Sequence, residues 1–112
     1  MYNMKKKGYV YLICDNKNEV FKIGVTKKSI DKRIKELQTG NATELFVSKY
    51  HESEYPYMVE NMLHNHFGIN QVLNEWFELS TENVNNFNEI CLEMEKRIES
   101  LKENPFFQKL IK

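Results

Sequence analysis

Two cysteines, two prolines, four glycines and one tryptophan are all that 112 residues hold of those types, and the formal net charge is zero. Each scarcity excludes something. Cys14 and Cys91 have no close cysteine neighbour, which removes zinc-cluster and redox-motif readings. A bridge between them stays open, but a reduced, cytosolic protein is the better reading. The longest clearly apolar run, residues 9–14, is far too short to span a bilayer. Lys5, Lys6 and Lys7 ahead of it imitate the start of a signal peptide, yet Asp15 breaks the run and no small-residue cleavage site follows. There is no repeat and no Gly-, Pro- or Ser-rich linker, so the length fits one domain with a single core.

A neutral total argues against an indiscriminate polycation, but the charge is lopsided. Residues 1–40 carry ten Lys and Arg against four acids, and residues 41–112 carry six against twelve. A basic face able to follow a phosphate backbone is one reading, and a solvated, uneven surface is the other.

The apolar pattern supplies the elements. Residues 9–14 read as a strand, residues 15–18 as a turn and residues 19–25 as a second strand, giving a hairpin that sets Tyr11 and Lys22 near each other. A helix follows over about 30–38, started by Ser29 and stopped near Gly40. Residues 45–50 read as a third strand, and Pro56 opens a second helix that Gly68 closes. Residues 75–79 form a short extended aromatic stretch. A long helix is predicted over about 82–103, capped by Ser80 or Thr81, with Phe87, Ile90, Cys91, Met94, Ile98 and Leu101 at helical spacing. That stripe spans only about two heptads, so it reads as core rather than as a dimer seam. Residues 106–112 fit a last amphipathic turn or two. The division expected is residues 1–80 as the chemical domain and 81–112 as a helical extension packed on it.

Phosphodiester cleavage needs a prepared water, charge stabilisation on the phosphorus oxygens and help for the leaving oxygen. Tyr11, Lys22 and Arg33 supply a phenol, an ammonium and a guanidinium. Magnesium is held by one or two carboxylates and keeps several waters. Glu60, on the second helix with His64 at i+4, is the candidate. Each residue also has a plain reading: Tyr11 as a core aromatic, Lys22 and Arg33 as surface cations, Glu60 as a solvated acid. His64 fits either an active-site neighbour or a packing imidazole. With His66 it invites zinc, but a further ligand is missing. Trp76 and Phe77 read as core.

Taken in order, Tyr9-Val10-Tyr11, Lys22-Ile23-Gly24, the Arg33–Gly40 stretch, Glu60–His64 and Asn74–Leu79 resemble the GIY-YIG nuclease superfamily. Within it they resemble the phage-T5-type DNA-binding-domain branch, whose second motif has lysine in place of tyrosine. The similarity covers about residues 8–80. It implies an α/β (α+β) fold with a small three-stranded, mainly antiparallel sheet flanked by helices. It also implies Tyr11 as general base, Arg33 as phosphate ligand and Glu60 as the ligand of one divalent metal, Mg2+ with Mn2+ as substitute. Lys22 stands where many relatives carry tyrosine, and Leu37 where several carry a polar or basic group. Tyr9, His64 and Asn74 fall near the implied site, Asn74 as a loose match.

The leading expectation is a metal-dependent endonuclease that nicks DNA, with Lys5, Lys6, Lys7, Lys27, Lys28 and Arg33 along the backbone. RNA stays open as a substrate, and the state expected is a monomer or weak homodimer. Phages, mobile elements or large DNA viruses suit such a domain through the resemblance alone. The competitors are a catalytically silent DNA-binding module and an interaction protein using residues 82–112.

Overall fold

The computed structural model describes residues 7–103. In chain order it contains β1 (Gly8–Asp15), β2 (Val20–Thr26), α1 (Ile30–Thr39), β3 (Leu45–Ser53), α2 (Pro56–His66), a 3-10 turn (Gly68–Asn70), β4 (Gln71–Leu73), β5 (Trp76–Phe77), α3 (Thr81–Asn85) and α4 (Phe87–Lys102). The strands form one sheet in the order β3-β1-β2-β5-β4, and every neighbouring pair is antiparallel.

β1 lies between β2 and β3, covered on both faces. Such a strand needs apolar residues at consecutive positions, not alternate ones, and Val10, Tyr11, Leu12 and Ile13 are all buried. The pleat divides them. Val10 and Leu12 enter the main core with Ile23, Val59, Leu63 and Phe77, and with Phe87, Cys91, Met94 and Ile98 of α4. Tyr11 and Ile13 enter a smaller core with Leu45, covered by Ile30, Ile34 and Leu37 of α1. The molecule is thus three layers: α2 and α4, the sheet, and α1.

Polar side chains set the loops. Ser29 caps α1 by accepting from the Lys32 N–H at 3.2 Å. Gln38 donates to the carbonyls of Asn41 (3.3 Å) and Thr43 (2.9 Å) and accepts from the Leu45 N–H (2.8 Å), replacing backbone partners through the α1–β3 loop. Asp15 accepts from the N–H groups of Lys17 and Asn18, from the Asn18 amide at 2.9 Å and from the Thr43 hydroxyl at 2.8 Å, so the β1–β2 turn and the α1–β3 loop are tied together.

The three-stranded sheet implied by the resemblance is corrected to five strands in an α+β fold. The added β4 contains three residues, too few for a periodic signal; β5, of two, lies within the extended stretch expected over 75–79, and a turn with Asn74 at φ 51° joins them. The single long C-terminal helix is likewise corrected to two. Ser80 and Asn83 form a reciprocal capping box that starts α3, and the chain breaks at Asn86 before α4. The buried side chains of α4 lie in the main core, while Leu101 is exposed. Both cysteines are free. Among the described residues no helix is long and apolar enough to cross a membrane. Lys5, Lys6 and residues 106–112 lie outside the described residues.

Candidate functional site

Tyr11 of β1 stands directly opposite Gly24 of β2. The phenol ring lies across that glycine: a Cβ on Gly24 would come within 2.3 Å of the Tyr11 Oη and 2.5 Å of Cζ. The glycine of the Lys-Ile-Gly segment therefore has a steric reason. It leaves space for the ring to run over β2 rather than stand off it.

Arg33, one turn into α1, reaches down to the same oxygen. Its Nε donates to the Tyr11 Oη at 3.3 Å, and its Nη1 lies 3.4 Å from the Glu36 carboxylate. The contact with Tyr11 is the main reason the guanidinium holds its proton more firmly than usual; burial opposes it and Glu36 supports it. Glu36 also takes a short hydrogen bond from the Lys28 ammonium. Lys28 first, then Arg33, hold the Glu36 carboxyl below its ordinary range. Glu36 is thus a counter-ion of the site, paired with both Lys28 and Arg33.

Lys22 lies on the same sheet face, two residues before Gly24. Its ammonium pairs with Glu75 at 3.0 Å and sits 5.6 Å from the Trp76 ring centroid. The β4–β5 turn makes this pairing. Asn74 takes the positive φ, and Glu75 follows with its backbone carbonyl accepting from the Ile23 N–H at 3.1 Å. Asn74 accordingly serves as a turn residue that aims Glu75 at Lys22. A cleft of about 280 Å³ runs from Lys22 and Trp76 past Glu36, Leu37 and Gly40, at the last turn of α1. Sequence reasoning missed Glu75, whose only signal was its place between a turn residue and Trp76.

Glu60 of α2 is half-buried and makes no ion pair among the described residues. Burial is the main cause that raises its proton affinity; His64 opposes this, Glu75 adds to it and Lys22 opposes it. Glu60 therefore shares a field with Lys22 and Glu75. His64 is held elsewhere: its Nε2 donates to the Ile23 carbonyl at 3.0 Å, and its ring meets Phe77 edge-on at 5.1 Å. It packs α2 on β2 and acts on Glu60 through charge alone.

The described residues contain no group of three or more His, Cys, Asp or Glu able to hold a metal. That donor set does not fit zinc, which takes three or four protein ligands. It does fit magnesium on one carboxylate, because a hard cation satisfied mainly by water and substrate oxygens needs little more. A partly desolvated Glu60, in no ion pair among the described residues, is suited to that role.

The other candidates scatter. Tyr9 is half-buried and meets Tyr50 edge-on at 6.0 Å. Lys27 stands 5.9 Å from the Tyr57 ring centroid on the α2 side, and Lys7 is exposed. Tyr11, Arg33 and Lys22 with their counter-ions are what the fold brings to the α1 face of the sheet.

No curated protein and no solved structure matches the chain significantly. The model of the T5orf172 domain, a domain found in phage and related nuclease-like proteins, matches residues 8–101. A match that runs through all three layers of the fold, from the first strand into the last helix, places this chain in the T5orf172 domain family.

Proposed function

We propose that the chain is a small divalent-metal-dependent endonuclease of the GIY-YIG type that nicks DNA. One observation carries the reading: residues 22 apart in sequence, on a strand and a helix, meet as a phenol and a guanidinium 3.3 Å apart over a glycine that makes room for them. Tyr11 is 1% exposed, and Arg33 covers its oxygen. A bound phosphodiester draws the guanidinium outward onto its non-bridging oxygens and uncovers Oη for the attacking water. Tyr11, its own phenolic proton given up to solvent, takes the water's proton as the new P–O bond forms; the opposite ester bond breaks and its leaving oxygen is protonated from solvent. Lys22, a cation in its pair with Glu75, offsets charge developing on the phosphate. Magnesium or manganese on Glu60 supplies further neutralisation and help to the leaving oxygen when bound. One such site cuts one strand.

A silent DNA-binding module is the second reading, favoured by the engagement of Lys22 with Glu75 in the free protein. Supercoiled plasmid with magnesium or manganese separates the two. Conversion to open circle by the native chain, lost in Glu60→Ala, supports the nuclease. A gel shift on the same plasmid with no conversion by either protein supports the silent module.

A further inference from the structure

A second cleft, of about 300 Å³, opens where the first turn of α1 meets β1 and β3. Tyr9, Val47, Tyr50 and Ile30 line it together with Ser29 and Asp31. Tyr50 is 54% exposed, and its ring is braced edge-on by Tyr9 at an interplanar angle of 71°. A single exposed aromatic means little. What lies beside it means more. A cleft of about 530 Å³ continues along α1, lined by Lys28, Ser29, Lys32, Lys35 and Glu36, and Ser29 lines both. Lys32 and Lys35 form no ion pair among the described residues.

We infer that these two clefts form a docking surface for single-stranded DNA, with an unstacked base against Tyr50 and the adjoining phosphates along Lys32 and Lys35. The inference deepens the nuclease reading and rests on it for the polymer bound. An aromatic wall continuous with a row of unpaired cations matches a chain in which flat apolar faces alternate with anions. A duplex hides its base faces in the stack; a single strand offers them. Asp31 orders the two halves, because a carboxylate in the aromatic cleft repels phosphate yet accepts from an exocyclic amine of a base. Tyr9 and Tyr11 are two residues apart on one face of β1, about 7 Å along the strand. A base held at Tyr9 and Tyr50 therefore neighbours a phosphate held by Arg33.

The test uses the full chain and a short labelled oligonucleotide, single-stranded or annealed to its complement, followed by fluorescence anisotropy at several salt concentrations. The native protein is expected to bind the single strand more tightly than the duplex. Tyr50→Ala is expected to weaken single-strand binding by roughly five- to a hundredfold and to leave duplex binding unchanged. Tyr50→Phe, which retains the ring, is expected to bind as the native chain does. Lys32→Gln with Lys35→Gln is expected to flatten the salt dependence on the single strand by about 0.7 in logarithmic slope per lost contact. Equal loss on both DNA forms, or no loss in Tyr50→Ala, overturns the surface. So does an unaltered salt slope in the double lysine variant, which holds the question open to measurement should Tyr50→Ala fail to fold. Single-strand binding through Tyr50 by a protein that never nicks plasmid overturns the nuclease and leaves the surface standing. Nicking indifferent to Tyr50→Ala, with unchanged single-strand affinity, does the reverse, and a protein that binds neither form overturns both.

Discussion

Replacing Gly24 by alanine asks whether the smaller core and the chemical site are one structure. Gly24 does not take a positive φ, so alanine suits its backbone and by itself would stabilise the chain by about 0.4–1 kcal/mol through the unfolded state. The methyl would meet the Tyr11 Oη at 2.3 Å, Cζ at 2.5 Å and Cε1 at 2.8 Å, whereas comfortable carbon contacts lie near about 3.5–4.0 Å. The ring must therefore shift by about an ångström. It has little freedom to do so, being rigid, 1% exposed and packed with Ile13, Leu45 and the underside of α1. Overpacking of this kind costs about 1–3 kcal/mol. Net destabilisation of about 1–2 kcal/mol is expected, a fall in Tm of about 4–10 °C for a chain of this size. Urea unfolding measures it, and a double-mutant cycle assigns it. In a Tyr11→Leu background the obstructing atoms are gone, so the same alanine should cost nothing or stabilise slightly, giving a coupling of about 1 kcal/mol or more. Costs that add to within about 0.5 kcal/mol would refute the reasoning.

Two further expectations concern stability and reactivity. Burial raises the Asp15 pKa, but hydrogen bonds from Asn18, Thr43 and the backbone outweigh it, so the folded carboxyl titrates below its ordinary range. Its stabilising contribution is then fully present above about pH 4 and is lost as pH falls through the lower folded value. Asp15→Asn should cost about 1–3 kcal/mol at neutral pH, and the gap in urea midpoint should shrink at pH values below about 4; a gap that persists unchanged there contradicts the network. The Cys91 thiol, buried in the main core, is pushed up to about 12, chiefly by burial. Cys14 is half-buried and raised by burial, then by Asp15 and Glu19. Since the thiolate is the nucleophile, iodoacetamide should alkylate Cys14 well before Cys91 in the folded protein. Peptide mass spectrometry reads the order, and equal rates would mean that α4 does not stay docked.

Much of this arrangement is legible from residue types alone. The run Val10–Ile13 declares a strand, Ser29 and Gly40 bracket α1, and Pro56 starts α2, because each acts within its own few residues. The apolar stripe Phe87, Cys91, Met94 and Ile98 announces a core-facing helix. What escapes is settled at a distance. The extended stretch at 75–79 shows in the residue types, but its pairing with β2 as β5, and the three-residue β4 beyond it, do not. The break at Asn86 falls one residue ahead of the stripe that begins at Phe87, so the apolar spacing gives no sign of it. In the site, Tyr11 and Arg33 are visible as residue types, but Glu36 and Glu75 become counter-ions only once α1 and the β4–β5 turn are placed. Gln38 resembles any surface amide until its three backbone contacts are seen.

The two faces of β1 carry unequal shares of the protein. Among the described residues, twelve buried side chains gather on the α2 and α4 side and three under α1. The proposed Tyr11, Lys22 and Arg33 cluster stands on the lightly held side, and α1 itself has no buried residue. A lineage built this way can alter its reactive groups and its substrate while the heavier layer preserves the architecture. Lys22, where the GIY-YIG resemblance implies tyrosine, is the sort of change such a division of labour would let evolution try.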